Sequence, residues 1–260
     1  MAQTLIEKDG AIATLWLNRP DLHNAFDDAL IAEVTQAIDA LAGDVSARVV
    51  IVAGKGKSFS AGADLAWMKR MAGYSREQNE ADANRMAEML HKLNTMPKAT
   101  IAAIQGAALG GGVGLCAACD IGVAASDAVF ALSEAKLGLI PAVISPYVIE
   151  AIGARAARRY MLTAERFDAG VAERLGLVSA VVAPDQLMTE ARRIADILLQ
   201  NGPQAVREAK LLVAHVSKLP NDAALRADTA RRIARLRASD EGREGVAAFL
   251  EKRKPGWRSR

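Results

Sequence analysis

Thr100-Ile101-Ala102-Ala103-Ile104, running on to Leu109-Gly110-Gly111-Gly112, is the stretch on which the fold turns. A short apolar run that ends in small residues reads as a strand leading into a tight turn, with a helix opening at Gly111 or Gly112. The pattern has one precedent in the chain: Val49-Val50-Ile51-Val52-Ala53 leads toward Ser60-Ala61-Gly62-Ala63-Asp64. Glycine and alanine at such turns let another molecule approach the backbone and leave peptide N–H groups free to donate. Two free N–H groups aimed at one point make an oxyanion hole. Either turn alone is an ordinary strand-to-helix connection. Both together, with an acidic residue 22 positions after Gly112 at Glu134, point toward chemistry.

Outward from these turns, the pattern is alternating. Residues 4–18 read as a hairpin about Asp9-Gly10, a dipeptide suited to a type I′ turn. Phe26, Leu30, Val34, Ile38 and Leu41 recur at helical spacing and predict a helix over 27–42; further helices are expected over 76–93 and from 111 or 112, with a strand near 121–124. Strand–helix alternation predicts an α/β core. After Pro203 the strand signal stops, and residues 203–216, 222–238 and 241–251 read as three helices. The expected organisation is an α/β core over 1–200 and a C-terminal helical subdomain over 201–260.

Composition narrows the class. At 260 residues and 51% hydrophobic, the chain can bury one sizeable core. No segment is apolar enough to span a membrane, the start lacks signal-peptide features, and two cysteines make no disulfide framework, so the cytoplasm is the expected compartment. Residues 201–260 carry fourteen basic side chains against seven acidic ones, whereas the first 200 carry nineteen against 23. A solvated helical face or an anion site accounts for that excess. The basic helices lack the interleaved aromatics on which bases stack, which argues against a nucleic acid as partner.

Several motifs fail on spacing. Gly56-Lys57-Ser58 lacks the earlier glycine of a phosphate loop, and Gly110, Gly112 and Gly114 do not give the dinucleotide fingerprint. Cys116 and Cys119 have redox spacing but sit in an apolar helical stretch with no second pair, so core thiols are the better reading. His23, His91 and His215 have no metal-ligand spacing, and no metal site is expected. Glu134 could be a surface residue. Facing an apolar pocket, its pKa would rise and it could exchange protons near neutrality.

Taken in order, Asn18-Arg19-Pro20, Phe59 to Leu65, Ala108 to Gly112, Cys119-Asp120-Ile121, Ser133-Glu134, Gly138 to Pro141, Gly176-Leu177-Val178 and Phe249 to Pro255 resemble the crotonase, or enoyl-CoA hydratase/isomerase, superfamily. The resemblance spans residues 18–255 and implies a ββα spiral core with a C-terminal helical oligomerisation subdomain. It implies acyl-CoA thioester substrates, no cofactor beyond the CoA of the substrate itself, and a homotrimer or homohexamer. By the same resemblance, the N–H groups of Ala63 and Gly111 hold the thioester oxygen and Glu134 moves the proton. Leu22, His23, Ala25, Ala61, Asp64, Leu65 and Gly110 would line the CoA and pantetheine path, Trp67 and Met68 would approach the acyl chain, and Phe249 and Lys252 would reach a neighbouring subunit's CoA.

One departure bears on the reaction. Two-glutamate hydratases of the superfamily carry a Glu two residues after the last glycine of the run, and here that residue is Gly114. A single Glu134 suits a Δ3,Δ2-enoyl-CoA isomerase. Against this, Gly112 to Asp120 and Leu139 to Tyr147 resemble a bacterial branch of hydratases acting on methylglutaconyl-CoA or carboxygeranoyl-CoA, in which Gly114 is expected to enlarge the pocket for a branched substrate. Hydration of a 2-enoyl-CoA is the expectation, and isomerisation the alternative.

Overall fold

In a computed structural model, which describes residues 2–258, the two apolar runs lie side by side in one sheet. Its strands are β1 (Thr4–Asp9), β2 (Ile12–Leu17), β3 (Val49–Gly54), β4 (Ala99–Ile104), β6 (Ile121–Ala125) and β9 (Ala180–Val182), in the order β1-β2-β3-β4-β6-β9. Only the β1–β2 hairpin is antiparallel, in the register Thr4 to Leu17 and Asp9 to Ile12. The other pairs are parallel.

Parallel strands covered on both faces read as unbroken apolar runs, and alternate residues here serve separate cores. Val50 and Val52 of β3 pack with α1 (Asp28–Gly43) and α3 (Arg76–Asn94), while Val49, Ile51 and Ala53 pack toward α7 (Leu187–Leu199). Asp27 caps α1 by accepting the Leu30 N–H, and Ser75 with Gln78 forms a capping box on α3.

A second, three-stranded sheet joins β5 (Ala107–Leu109), β7 (Val129–Ala131) and β8 (Arg166–Asp168) in the order β5-β7-β8. The remaining helices before the C-terminal region are α2 (Leu65–Met71), α4 (Gly111–Ala118), α5 (Ser145–Thr163), interrupted at Gly153 with φ 75°, and α6 (Ala169–Leu175). The chain ends in α8 (Pro203–Val216), α9 (Ala223–Ala238) and α10 (Asp240–Leu250). Lys210 on α8 bonds the Asp120 carboxylate and the Lys98 carbonyl, and Arg48 donates to the Asn201 and Trp257 carbonyls, so these helices are tied back to the sheet.

The chain is mixed α/β, and the helical C-terminal region occupies the three expected segments to within two residues. The small sheet was absent from the sequence reading because strands of three residues leave no periodicity to see. Among the described residues, no helix is long and apolar enough to cross a membrane. Cys116 is buried at the end of α4 with its thiol pushed up to about 12 by burial, and neither cysteine is bridged.

Candidate active site

Ala63 is presented by a short extended segment clamped on both sides. Phe26 N–H donates to the Gly62 carbonyl at 2.6 Å, and Asp64 N–H donates to the Phe26 carbonyl at 2.8 Å. Peptide groups alternate in direction along extended chain, so this pairing turns the intervening Ala63 N–H the opposite way. That N–H has no acceptor among the described residues. The segment is also sewn to β5: Ser60 N–H donates to Ala107 O at 3.0 Å and Leu109 N–H to Ser60 O at 2.9 Å.

An ion cluster fixes the same corner. Arg19 reaches Asp27 at 2.9 Å and Asp64 at 3.2 Å, and donates to the Ala25 carbonyl at 2.5 Å, with all three charged side chains mostly buried. Asp64 also accepts the Ala66 and Trp67 N–H groups, capping α2. Those backbone bonds, with Arg19 adding to them, hold its carboxyl below the usual range against the cost of burial. Asp64 is therefore placed as a cap and an anchor, its carboxylate already engaged.

Gly111 is the first residue of α4, so its N–H has no carbonyl one turn back to receive it, and the helix dipole favours negative charge there. The turn before it needs glycine: Gly110 sits at φ 49° and ψ −112°. A Cβ at Gly110 would fall 2.8 Å from Glu134 Oε1, and one at Gly112 would fall 2.5 Å from the Ser60 carbonyl. The carboxyl of Glu134 thus rests directly against the glycine turn.

Glu134 begins a single 3₁₀ turn, Glu134–Leu137, that closes at Gly138 with φ 71°. Its Oε2 is buried with no hydrogen-bond partner among the described residues. Burial raises its pKa above the ordinary carboxylate value. A cavity of about 290 Å³ brings the three features together, lined by Ala63, Gly111 and Glu134 with Phe26, Gly62, Trp67, Ala83, Met86 and the run Ile140 to Ile144. A desolvated carboxyl beside two free amides can exchange a proton with carbon next to a carbonyl whose oxygen gains charge.

The other expected residues divide. Gly110 supports Glu134, while His23 and the buried Asn24 take left-handed φ of 50° and 53° at the foot of the clamp, Asn24 bonding the Lys55 and Ser58 carbonyls. His23 O accepts the Ala61 N–H. Leu22 and Leu65 are exposed at 50% and 82%, and Ala25 is buried. Trp67 lines the cavity, whereas Met68 does not. Phe249, 82% exposed, lines a separate cleft with Trp257, and neither it nor Lys252 borders the Glu134 cavity of the same chain.

Gly114 corrects an expectation. It does not enlarge the pocket, because the Ile144 side chain fills the space, its Cγ2 lying 2.1 Å from where a Cβ on residue 114 would be. The sequence reading also missed Phe26, Ala83 and Met86 as wall residues. Ala83 and Met86 are i, i+3 on α3, apolar positions in a strongly charged helix, and that spacing was available as a signal.

Residues 7–260 match the enoyl-CoA hydratase/isomerase family, and the chain belongs to it. The crotonyl-CoA hydratase of Syntrophomonas wolfei is 33% identical over 98% of both chains, and a mitochondrial Δ(3,5)-Δ(2,4)-dienoyl-CoA isomerase of Dictyostelium discoideum is 35% identical over 94% of this chain and 86% of that one. The crystal structure of an enoyl-CoA hydratase from Shewanella pealeana superposes with a TM-score of 0.95 at 45% identity, covering 98% of this chain and 96% of the other.

Proposed function

We propose that this protein is an enoyl-CoA hydratase that adds water across C2=C3 of a 2-enoyl-CoA thioester; the resemblance of residues 112–120 and 139–147 to hydratases of branched esters, and not the room at Gly114, supports a methylglutaconyl-like acyl group as the finer assignment. The observation that carries the reading is the meeting of two unpaired amides and one desolvated carboxyl on a single cavity. In this mechanism Glu134 takes a proton from water as the oxygen bonds to C3. The C2=C3 electron pair moves through C2 onto the thioester oxygen, which the Ala63 and Gly111 N–H groups receive. The enolate collapses as Glu134 returns the proton to C2. CoA enters as part of the substrate, and no separate cofactor takes part. Clamped extended chain on one side and a helix N-terminus on the other hold the amides before charge develops, so little reorganisation is needed at that step.

One observation favours a second reading. Glu134 is the only carboxylate among the described residues lining the cavity, and the wall from Ile140 to Ile144 is apolar. A single acid/base that shuttles a proton between C2 and C4 would make the protein a Δ3,Δ2-enoyl-CoA isomerase. Supplying a 2-enoyl-CoA and a 3-enoyl-CoA separately decides between them. A 3-hydroxyacyl-CoA from the 2-enoyl ester supports hydration, whereas interconversion of the two esters with no hydroxy product replaces it with isomerisation.

The assembly proposed is a homotrimer or homohexamer in the cytoplasm. Leu211, Val213, Ile233, Val246, Phe249 and Leu250 leave apolar side chains exposed along the C-terminal helices for a neighbouring subunit to bury, and by the family resemblance Phe249 and Lys252 would then reach that neighbour's CoA. Light scattering coupled to gel filtration tests this, and a monomer would end it.

A further inference from the structure

We infer that Ile144 and Gly114 form an interlocked pair and that Ile144 is the residue setting the upper size of the acyl group. The inference rests on the acyl-CoA reading of the cavity. Gly114 is buried in α4. Ile144 lies at the N-cap of α5, is 4% exposed, and belongs to the wall of the Glu134 cavity. A Cβ on residue 114 would fall 2.1 Å from Ile144 Cγ2 and 2.6 Å from Ile144 Cβ. Non-bonded carbon atoms do not approach so closely, and neither is the far end of a flexible chain, because branching at Cβ keeps an isoleucine stiff at χ1. The side chain is therefore seated against bare backbone, and position 114 must stay glycine for the wall to stand where it does.

Two consequences follow that ordinary core packing does not share. Adding a methyl group at 114 drives Ile144 off its seat, and because that residue borders the cavity, the displaced volume comes at the expense of the acyl group. Trimming Ile144 does the reverse, opening the cavity toward the bare face of α4. A hydrophobic pocket discriminates one methylene by roughly 10- to 200-fold, so the effect should be selective for acyl bulk. The thioester head, held by the amides of Ala63 and Gly111, should be indifferent to it.

The test uses binding of saturated, unreactive esters, so it does not depend on which reaction the enzyme performs. Calorimetry compares butyryl-CoA with 3,3-dimethylbutyryl-CoA for wild type, Ile144→Val, Ile144→Ala, Gly114→Ala and the double variant Gly114→Ala/Ile144→Ala. The expected result is a shift of the affinity ratio toward the bulky ester, at least about 10-fold in Ile144→Ala and smaller but in the same direction in Ile144→Val. Gly114→Ala should weaken butyryl-CoA at least 10-fold, and the double variant should return it to within about 3-fold of wild type. Ile144→Val, which deletes one methyl group, keeps the test alive if the alanine variant does not fold. An unchanged ratio in a folded Ile144 variant, or a double variant no better than Gly114→Ala, overturns the inference while leaving the acyl-CoA reading intact. Failure of wild type to bind either ester overturns both.

Discussion

Gly110→Ala is the perturbation in which backbone strain and catalytic geometry meet at one atom. The residue sits at φ 49° and ψ −112°, outside the left-handed helical region that other residues can visit. Holding a residue with a side chain in so sparsely populated a conformation costs about 1–3 kcal/mol. For a chain of this size each kcal/mol lowers Tm by roughly 2–4 °C, so melting should come about 2–12 °C earlier. The new methyl would also lie 2.8 Å from Glu134 Oε1 and 3.5 Å from its carboxyl carbon. An ordinary contact needs about 3.5 Å, so the carboxyl must retreat by roughly 0.7 Å. Misplacement on the order of 1 Å can lower a rate about 10²-fold. The assay pairs thermal melting with turnover of crotonyl-CoA and with affinity for a saturated ester. Turnover should fall by at least 10-fold and by more than ester affinity does, because the Ala63 donor sits on a separate element and keeps its place. A variant that melts early and turns over normally would show that Glu134 is not the proton carrier.

Three further outcomes are expected. Glu134→Gln should lower turnover by about 10²- to 10⁴-fold while ester binding survives, and near-normal turnover would remove the group from the mechanism. Burial raises the pKa of Glu134, so the folded protein binds this proton more tightly than the unfolded chain does, and stability falls as pH rises through the window above the ordinary carboxylate value. Melting temperatures of wild type and Glu134→Gln should therefore agree at low pH and separate toward neutrality, with the glutamine variant higher; the opposite ordering refutes the desolvation. Arg19→Gln should cost up to about 3–5 kcal/mol in denaturant unfolding, since Asp27 and Asp64 are left buried without their cation. It should lower kcat more than it raises KM through drift of the Ala63 amide, with partial recovery in Arg19→Lys, and an unchanged kcat in a folded variant would confine Arg19 to stability.

What the sequence made legible follows from how local each signal is. The runs at 49–53 and 100–104 were readable because a strand buried on both faces must be apolar throughout. The helices after Pro203 carried their own starts and stops: Pro203 in the first turn of α8, Asp222 accepting the Leu225 N–H, and Ser239 accepting the Gly242 N–H. The small residues of both turns marked places where peptide N–H groups go unpaired, and it was the family resemblance that pointed to Ala63 and Gly111 within them. The clamp that orients Ala63 was not legible, since the Phe26–Gly62 and Phe26–Asp64 bonds and the Arg19 cluster join segments about 40 residues apart and have no period or spacing.

Gly114 is where local reading fails for a physical reason. In sequence a missing side chain reads as open space, as though the glycine faced whatever the cavity holds. Protein interiors are close-packed, and a gap on one helix is filled by whichever side chain the fold brings to it. Here that side chain is Ile144, thirty residues on, the last of the run from Ile140 that lines the cavity. The glycine therefore buys proximity, not volume: it lets the start of α5 approach α4 until an apolar wall stands in the cavity that Glu134 borders. That wall takes away solvent, and lost solvent is the cause of the raised pKa of Glu134. Opening it in Ile144→Ala should therefore lower that pKa toward the ordinary value and move the acidic limb of the pH–rate profile with it. A limb that stays in place while the acyl preference shifts would separate size selection from proton transfer and assign the desolvation to the rest of the wall.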